Sequence, residues 1–514
     1  MKFTTFGAAI VVGALLFSGA ASAGAAVPSE WSDPVDVSGL GSSASGHELA
    51  VAPGGSVIAV WSLSVDPGDK IVQTSASSDN GTTWSSPIVL SGAGREAKNP
   101  QVAVSSDGLV TVVWEEFDGA NSVVQARTSS TPATSWPDAA IALSVAGNDA
   151  NAPQLAVSSD GSVTVIWQRN NSANVIVESR TSSAAAASWL NATTTLSGAG
   201  NDAYNQMVAV TPAGRATAVW REYAGGDSTI WARTESTPAT SWTEAAIELS
   251  DGTQSATRPQ LAVSSDGSVT VVWQRPNGSH QIIQTSTSDT LGTNWPTPTV
   301  DLSATGRNAY SPQVAVSSDG SVTVIWRRHN GADYIVQAKT LSAARATWPV
   351  AAVDISATGQ RASAPELAVG PDGSVLAVWV WSDASTHIQE SGSQDNGATW
   401  STSAEIALLN YTENSTSAAI STDGRPIAAW SATDGSQYVI QSSSYRLSAA
   451  AADADAEADA EADAEADATA EDDSSAGLPA TGAPVPLPLA IGGALALMLG
   501  AGVLVWSRSR ATTK

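Results

Sequence analysis

Arginine and tyrosine are spread unevenly along this chain of 514 residues, and the places where they gather suggest chemistry. Arg169, Arg221, Tyr223, Arg275, Arg307, Tyr310, Arg327, Arg328 and Tyr334 fall in or beside short polar segments between β-branched runs. A guanidinium pairs bidentately with a carboxylate or phosphate, and an aromatic ring covers the apolar face of a sugar. Together they suit a surface that holds a glycan, a glycoconjugate or a partner protein. Glu96, Asp118, Asp202, Glu222, Asp227 and Asp333 share those segments. Plain surface ion pairing, worth only about 0 to 1 kcal/mol per pair, therefore stands beside the binding reading.

Other chemistry finds little support. The four histidines, His47, His280, His329 and His387, are scattered, with no HxxxH or HExxH spacing to hold a metal, and no glycine-rich phosphate loop occurs. Neither a metal nor a cofactor is expected. Glycoside hydrolysis needs two carboxylates facing one cleft. Glu115 and Glu116 are the nearest candidates, yet adjacent strand residues point to opposite faces. Cysteine is absent, so burial alone must stabilise the fold. The formal charge of −26 argues against nucleic acid as a partner.

The elements that carry these residues come from an internal repeat. Trp61, Trp114, Trp167, Trp220, Trp273, Trp326 and Trp379 lie 53 positions apart by subtraction, and Trp430 follows after 51. Trp31, Trp84, Trp136, Trp189, Trp242, Trp295, Trp348 and Trp400 form a second series at steps of 52 or 53. In the third unit Gln154 to Ser158 and Val163 to Trp167 flank Ser159, Asp160 and Gly161, an Asp-Gly hairpin signal. Further strands are expected at Val175 to Arg180 and Thr193 to Leu196. Four short antiparallel strands per unit are what propeller blades look like, because a single blade cannot cover its own faces.

Closure of the ring can be checked from the sequence. The last unit has its hairpin at Gly424 and a third strand at Tyr438 to Ser443 but no fourth. Trp31 with Pro34 to Val37 matches Trp84 with Pro87 to Leu90 and can supply the missing one. An eight-bladed, all-β propeller follows, sealed by its own N-terminal strand so that no edge stays free.

Ser77, Asp79, Gly81, Thr83 and Trp84 fit the pattern SxDxGxTW, as do Ser393, Asp395, Gly397, Thr399 and Trp400. The pattern resembles the Asp box, or BNR repeat, of sialidases and other propellers. In that family the box is a structural turn between third and fourth strands, remote from the ligand face. Sialidases also need an arginine triad, a Tyr/Glu nucleophile pair and an acid/base Asp, usually near an FRIP-like string, and this chain has no such string.

The two ends point to export and attachment. Lys2, an apolar run from Phe6 to Phe17, and Ala21, Ser22 and Ala23 give the three regions of a signal peptide, assigned to residues 1–26. Leu478, Pro479, Ala480, Thr481 and Gly482 precede an apolar stretch at 485–506 and then Arg508, Arg510 and Lys514. This order, in residues 478–514, resembles the LPXTG sorting signal of Gram-positive wall-anchored proteins. About 20 apolar residues can cross a bilayer, and trailing cations hold the end inside. The resemblance implies that a sortase cuts after Thr481 and joins its carbonyl to peptidoglycan. Residues 449–477, alternating Ala with Asp or Glu, read as a solvated spacer, which leaves 27–448 for the propeller. The expected whole is a wall-anchored binding protein or adhesin. A diverged sialidase or other glycoside hydrolase, and a passive surface layer, are the alternatives.

Overall fold

The structure, a computed structural model, describes residues 30–446 apart from short stretches at 40–42, 67–68, 130–134, 137–138, 184–187, 190–191, 237–241, 297–298, 344–346, 360, 384, 410–414 and 434–435. The leader, the acidic spacer, the LPATG pentapeptide and the apolar stretch after it lie outside the described residues. Among the described residues the strands form eight antiparallel sheets, and no helix is long and apolar enough to cross a membrane.

Each sheet is one blade, its strands hydrogen-bonded in chain order. The third blade runs through Ala150–Val157, Val163–Asn170, Val175–Thr181 and Thr194–Thr195. The second strands read as continuous β-branched runs, such as Val-Thr-Val-Ile-Trp in Val163–Asn170, because both of their faces are covered. Between first and second strands the Asp-Gly turn needs a left-handed residue. Gly267 supplies it at φ +89°, and a Cβ there would lie 2.6 Å from the Thr290 carbonyl oxygen.

The eight second-strand tryptophans, Trp61 to Trp430, are wholly buried. Each packs on the preceding blade: Trp114 shares a core with Ala50, Ile58, Val60 and Val72 of the first. Trp61, in the first blade, does the same with Ala419, Ile427, Ala429 and Ile440 of the last, so the eighth gap is filled like the others. Cations in the third strands add staples across the gaps. Arg127 Nη1 donates to the Leu90 carbonyl at 2.9 Å, Arg180 Nη1 to Leu143 at 3.2 Å and Lys339 Nζ to Leu302 at 3.0 Å.

The last blade holds Thr416–Ile420, Pro426–Thr433 and Tyr438–Arg446, and its outer strand comes from the start of the chain. Val35 pairs with Ser442 and Asp36 with Gln441. The N–H groups of Ser32 and Val37 donate to the Ser444 and Ile440 carbonyls, both at 2.8 Å. The ring closes as its repeat requires.

Strand alternation gives the ring two unlike faces. The turns joining first to second and third to fourth strands share one, the turn face. Loops joining second to third strands, and one blade to the next, share the other, the loop face. The outer strand beginning at Trp31 starts on the turn face, and the final strand, ending near Tyr445, returns to it.

Candidate anion-binding face

On the loop face the innermost strands of the first seven blades carry an irregularity, seen as a register shift such as that between Tyr310 and Gln313 or between Thr257 and Gln260. One residue there turns left-handed in seven successive blades: Gly46, Asn99, Ala152, Asn205, Arg258, Ser311 and Ala364, with φ from 48° to 64°. These positions are one repeat apart. The bulge releases a backbone N–H that the preceding blade accepts, from Ala152 to Glu115 Oε1 at 2.8 Å and from Ser311 to Gln274 Oε1 at 3.1 Å.

In both cases the accepting residue is the one after the buried tryptophan, which points at the next blade. In order around the ring that position holds Ser62, Glu115, Gln168, Arg221, Gln274, Arg327, Val380 and Ser431. At Arg221 and Arg327 a donor stands where Glu115 and Gln274 accept.

Arg327 is the centre of the best-defined cluster. Its register partner on the innermost strand is Tyr310, and the Tyr334 ring reaches it from the start of the third strand. The guanidinium carbon lies 4.6 Å from the Tyr334 ring centroid and 5.5 Å from that of Tyr310, both within cation–π range. The two rings are 6.0 Å apart, and His329 stands edge-on to Tyr334 at 5.1 Å.

Burial draws the Arg327 pKa below the usual arginine value, with Tyr334 and Tyr310 opposing the shift and repulsion from Arg258 and Arg361 adding to it. Among the described residues, no carboxylate lies within ion-pair distance of Arg221, Arg258, Arg307, Arg327, Arg328 or Arg361. Arg258 and Arg361, on the blades to either side, thus both act on a guanidinium that Tyr310 and Tyr334 flank and that no carboxylate pairs among the described residues. An anion entering there gains both forks and attraction, while a neutral ligand gains neither.

The repeat explains how Arg361 reaches this place. One repeat apart stand Asp149, Asp202, Ser255, Asn308 and Arg361. The first four cap the third strand of the preceding blade: Asp149 Oδ1 accepts from the Ser122 N–H and Asp202 Oδ1 from Val175, at 2.9 and 2.8 Å. Ser255 Oγ accepts from Ser228 at 3.3 Å and Asn308 Oδ1 from Gln281 at 2.9 Å. The matching strand start in the sixth blade is Tyr334. Arg361 cannot accept there, and its positive charge acts on Arg327 by repulsion.

The remaining arginines and tyrosines named from the sequence divide into two groups. Arg169 Nη1 meets Glu178 Oε1 at 2.8 Å and Arg275 Nη1 meets Asp251 Oδ2 at 3.1 Å, so both are held by carboxylates. Arg307 lies exposed against Gly331, and Arg328 points to the opposite face of its strand from Arg327. Arg221 pairs in register with Tyr204 and lies two positions from Tyr223 on the same face, two blades before Arg327. Arg258 and Arg361, inter-blade loop arginines by residue type and position in the sequence, also act on Arg327. Comparing the repeats position by position tells them apart from the other loop arginines.

Carboxylates elsewhere on this face have structural duties. Glu115 accepts from the Asn99 amide and the Ala152 N–H, while Glu116 accepts from Trp114 Nε1 at 3.0 Å and from the Gly92 N–H at 3.2 Å. The two point to opposite sides of their strand.

On the turn face, Ser77 Oγ donates to Asp79 Oδ1 at 2.7 Å and accepts from the Gly81 N–H at 2.8 Å. Asp79 also accepts from the Thr83 N–H and hydroxyl, and Trp84 Nε1 donates to Ser442 Oγ at 2.9 Å. Burial alone pushes the Asp79 carboxyl up, but the bonds from Thr83 and Ser77 together outweigh it and hold it below the usual range. Ser393, Asp395, Gly397 and Thr399 repeat the cage, and Trp400 Nε1 donates to the Gly397 carbonyl at 3.2 Å. A third version went unread in the sequence. Asp289 Oδ1 accepts from the N–H groups of Leu291, Thr293 and Asn294, with Thr290 and Leu291 lengthening the turn so that the pattern no longer fits.

No protein-family model matches the chain, and no curated protein matches it. Among solved structures it is similar to a protein of unknown function from Dyadobacter fermentans, at 12% identity and TM-score 0.43, over 82% of this chain and 99% of that one. It is also similar to an ulvan lyase, a polysaccharide lyase, at 10% identity and TM-score 0.45, over 79% and 95%. A third is the α-L-arabinanase of Penicillium chrysogenum, at 14% identity and TM-score 0.39, over 58% and 94%.

Proposed function

We propose that this chain is an exported surface protein, joined by a sortase to peptidoglycan through Thr481, whose loop face binds an anionic glycan. The observation that carries the binding role is the half-buried Arg327 guanidinium, stacked by Tyr310 and Tyr334 and flanked by Arg258 and Arg361, without a carboxylate partner among the described residues. Its positive charge is desolvated and repelled where it stands. A bound carboxylate, sulfate or phosphate relieves both costs, and the rings cover the sugar that bears it. No catalysis is required of such a site.

The test is a soluble 27–447 fragment screened on glycan arrays containing uronates, sialosides, sulfated sugars and neutral controls. Retention of acidic glycans that is lost in Tyr310→Ala plus Arg327→Ala supports the assignment; a preference for neutral sugars, or indifference to both substitutions, overturns it. Wall attachment is tested separately, by release of Thr481→Ala chains into the medium.

A further inference from the structure

Loop-face arginines without carboxylate partners extend beyond the Arg327 cluster. Arg221, Arg258, Arg327 and Arg361 occupy the fourth, fifth, sixth and seventh blades in turn. The first and third follow buried tryptophans on second strands, while Arg258 and Arg361 lie on innermost strands. The Arg221 end has its own aromatic pair: Tyr204 is its register partner and Tyr223 follows two positions on. Burial draws the Arg221 pKa below the usual value, as at Arg327.

The other side of the ring carries different residues at the same places. Ser62, Glu115 and Gln168 stand where Arg221 and Arg327 stand, and Glu96 and Asp149 where Arg361 stands. The loop face thus carries a row of four arginines without carboxylate partners over the fourth to seventh blades, interspersed with acids such as Asp202, Asp227 and Asp333, whereas Arg95 and Arg169 on the second and third blades are paired with Glu116 and Glu178. A single sugar carboxylate can engage one station of that row. Two aromatic-flanked stations two blades apart, about a quarter turn in an eightfold ring, with Arg258 between them, call for several anions on one extended chain.

Resting on the anionic-glycan reading above, we propose that the ligand is a linear polyuronate whose successive carboxylates engage the Arg221 station and the Arg327 station at once. Linking the two contacts makes the second one intramolecular, so affinity rises with chain length once both stations are spanned.

Cells displaying the full chain are incubated with fluorescent galacturonate, its trimer and its decamer, with dextran sulfate, neutral dextran and single-stranded DNA as comparison probes. The decamer is expected to bind at least tenfold more tightly per molecule than the monomer. In Arg221→Ala the ratio of decamer to monomer affinity falls at least fivefold, whereas Arg327→Ala weakens monomer and decamer alike. Arg425→Ala, on the turn face and paired with Asp423, leaves both unchanged. Affinity independent of length, or a ratio unmoved by Arg221→Ala, overturns the two-station assignment while a monomer lost on Arg327→Ala keeps the glycan site. Dextran sulfate bound more tightly than the decamer replaces carboxylate by sulfate and overturns the polyuronate. DNA bound as tightly overturns the polysaccharide. If no uronate of any length is held and Arg327→Ala changes nothing, the anionic-glycan site itself is lost.

Discussion

The backbone N–H of Val37 meets the carbonyl of Ile440 at 2.8 Å, joining the beginning of the described chain to its end. Seven of the eight blades are built from contiguous sequence, and the last depends on this contact and its neighbours. A chain beginning at Ser38 should leave the Tyr438–Arg446 strand with an open edge, melt at lower temperature and self-associate. Differential scanning calorimetry and light scattering read both effects. An unchanged melting temperature with a monomeric profile would show that the N-terminal strand is dispensable.

Glu390 lies under the same seam, beside Trp31 and Tyr445, at a place where other third strands carry Thr, Ser or Ala. Burial pushes its carboxyl up to about 7, against a smaller pull from the Trp31 indole. Because the folded state holds the proton more tightly, the resulting stability is complete below the ordinary Glu range and drains away as pH rises through about 7. Glu390→Gln should therefore be more stable than the parent at pH 8, by up to about 3 kcal/mol, and equal to it near pH 4. Thermal melts across that range decide the matter; a parent that grows more stable between pH 5 and 8 relative to the variant contradicts it.

Gly397 has φ +81°, and an added Cβ would lie 2.7 Å from Thr340 Oγ1 and press on Thr323 in the preceding blade. Gly278 has φ +98° with nothing within 4 Å. Gly278→Ala should cost only backbone strain, about 1 kcal/mol, whereas Gly397→Ala adds overpacking of about 1 to 3 kcal/mol. Denaturant melts of the two variants separate the terms, and equal losses would mean that the turn does not press on the neighbouring blade.

Arg327→Lys keeps the charge but removes the planar fork and its stacking on Tyr334 and Tyr310. Binding of an acidic glycan should fall about tenfold or more if the fork matters, and should weaken with salt in the parent as exposed charge contacts do. Isothermal titration at two ionic strengths measures both. A lysine variant equal to the parent would reduce Arg327 to a point charge.

The fold was legible because one demand, an indole filling each gap between blades, is repeated at nearly fixed spacing and leaves Trp61 and its seven counterparts wholly buried. The missing fourth strand after Tyr438 likewise pointed back to Trp31. The site was legible only in part. Residue type and loop position named Arg327, Tyr310 and Tyr334, but grouped them with Arg169 and Arg275, whose partners Glu178 and Asp251 are fixed by strand register and loop path. Arg361 and Arg258 are told apart from ordinary surface cations by what stands at the same place in the other repeats, a capping Asp or Asn and a bulge residue.

Trp31 and Tyr445 mark where the chain enters and leaves the ring, and both do so on the face of the Asp cages. A ring held by either of these strand ends is thus held from the face of the Asp cages. The face that bears Tyr310, Arg327 and Tyr334 looks the other way, so a hold on either end of the ring leaves it open to the surroundings.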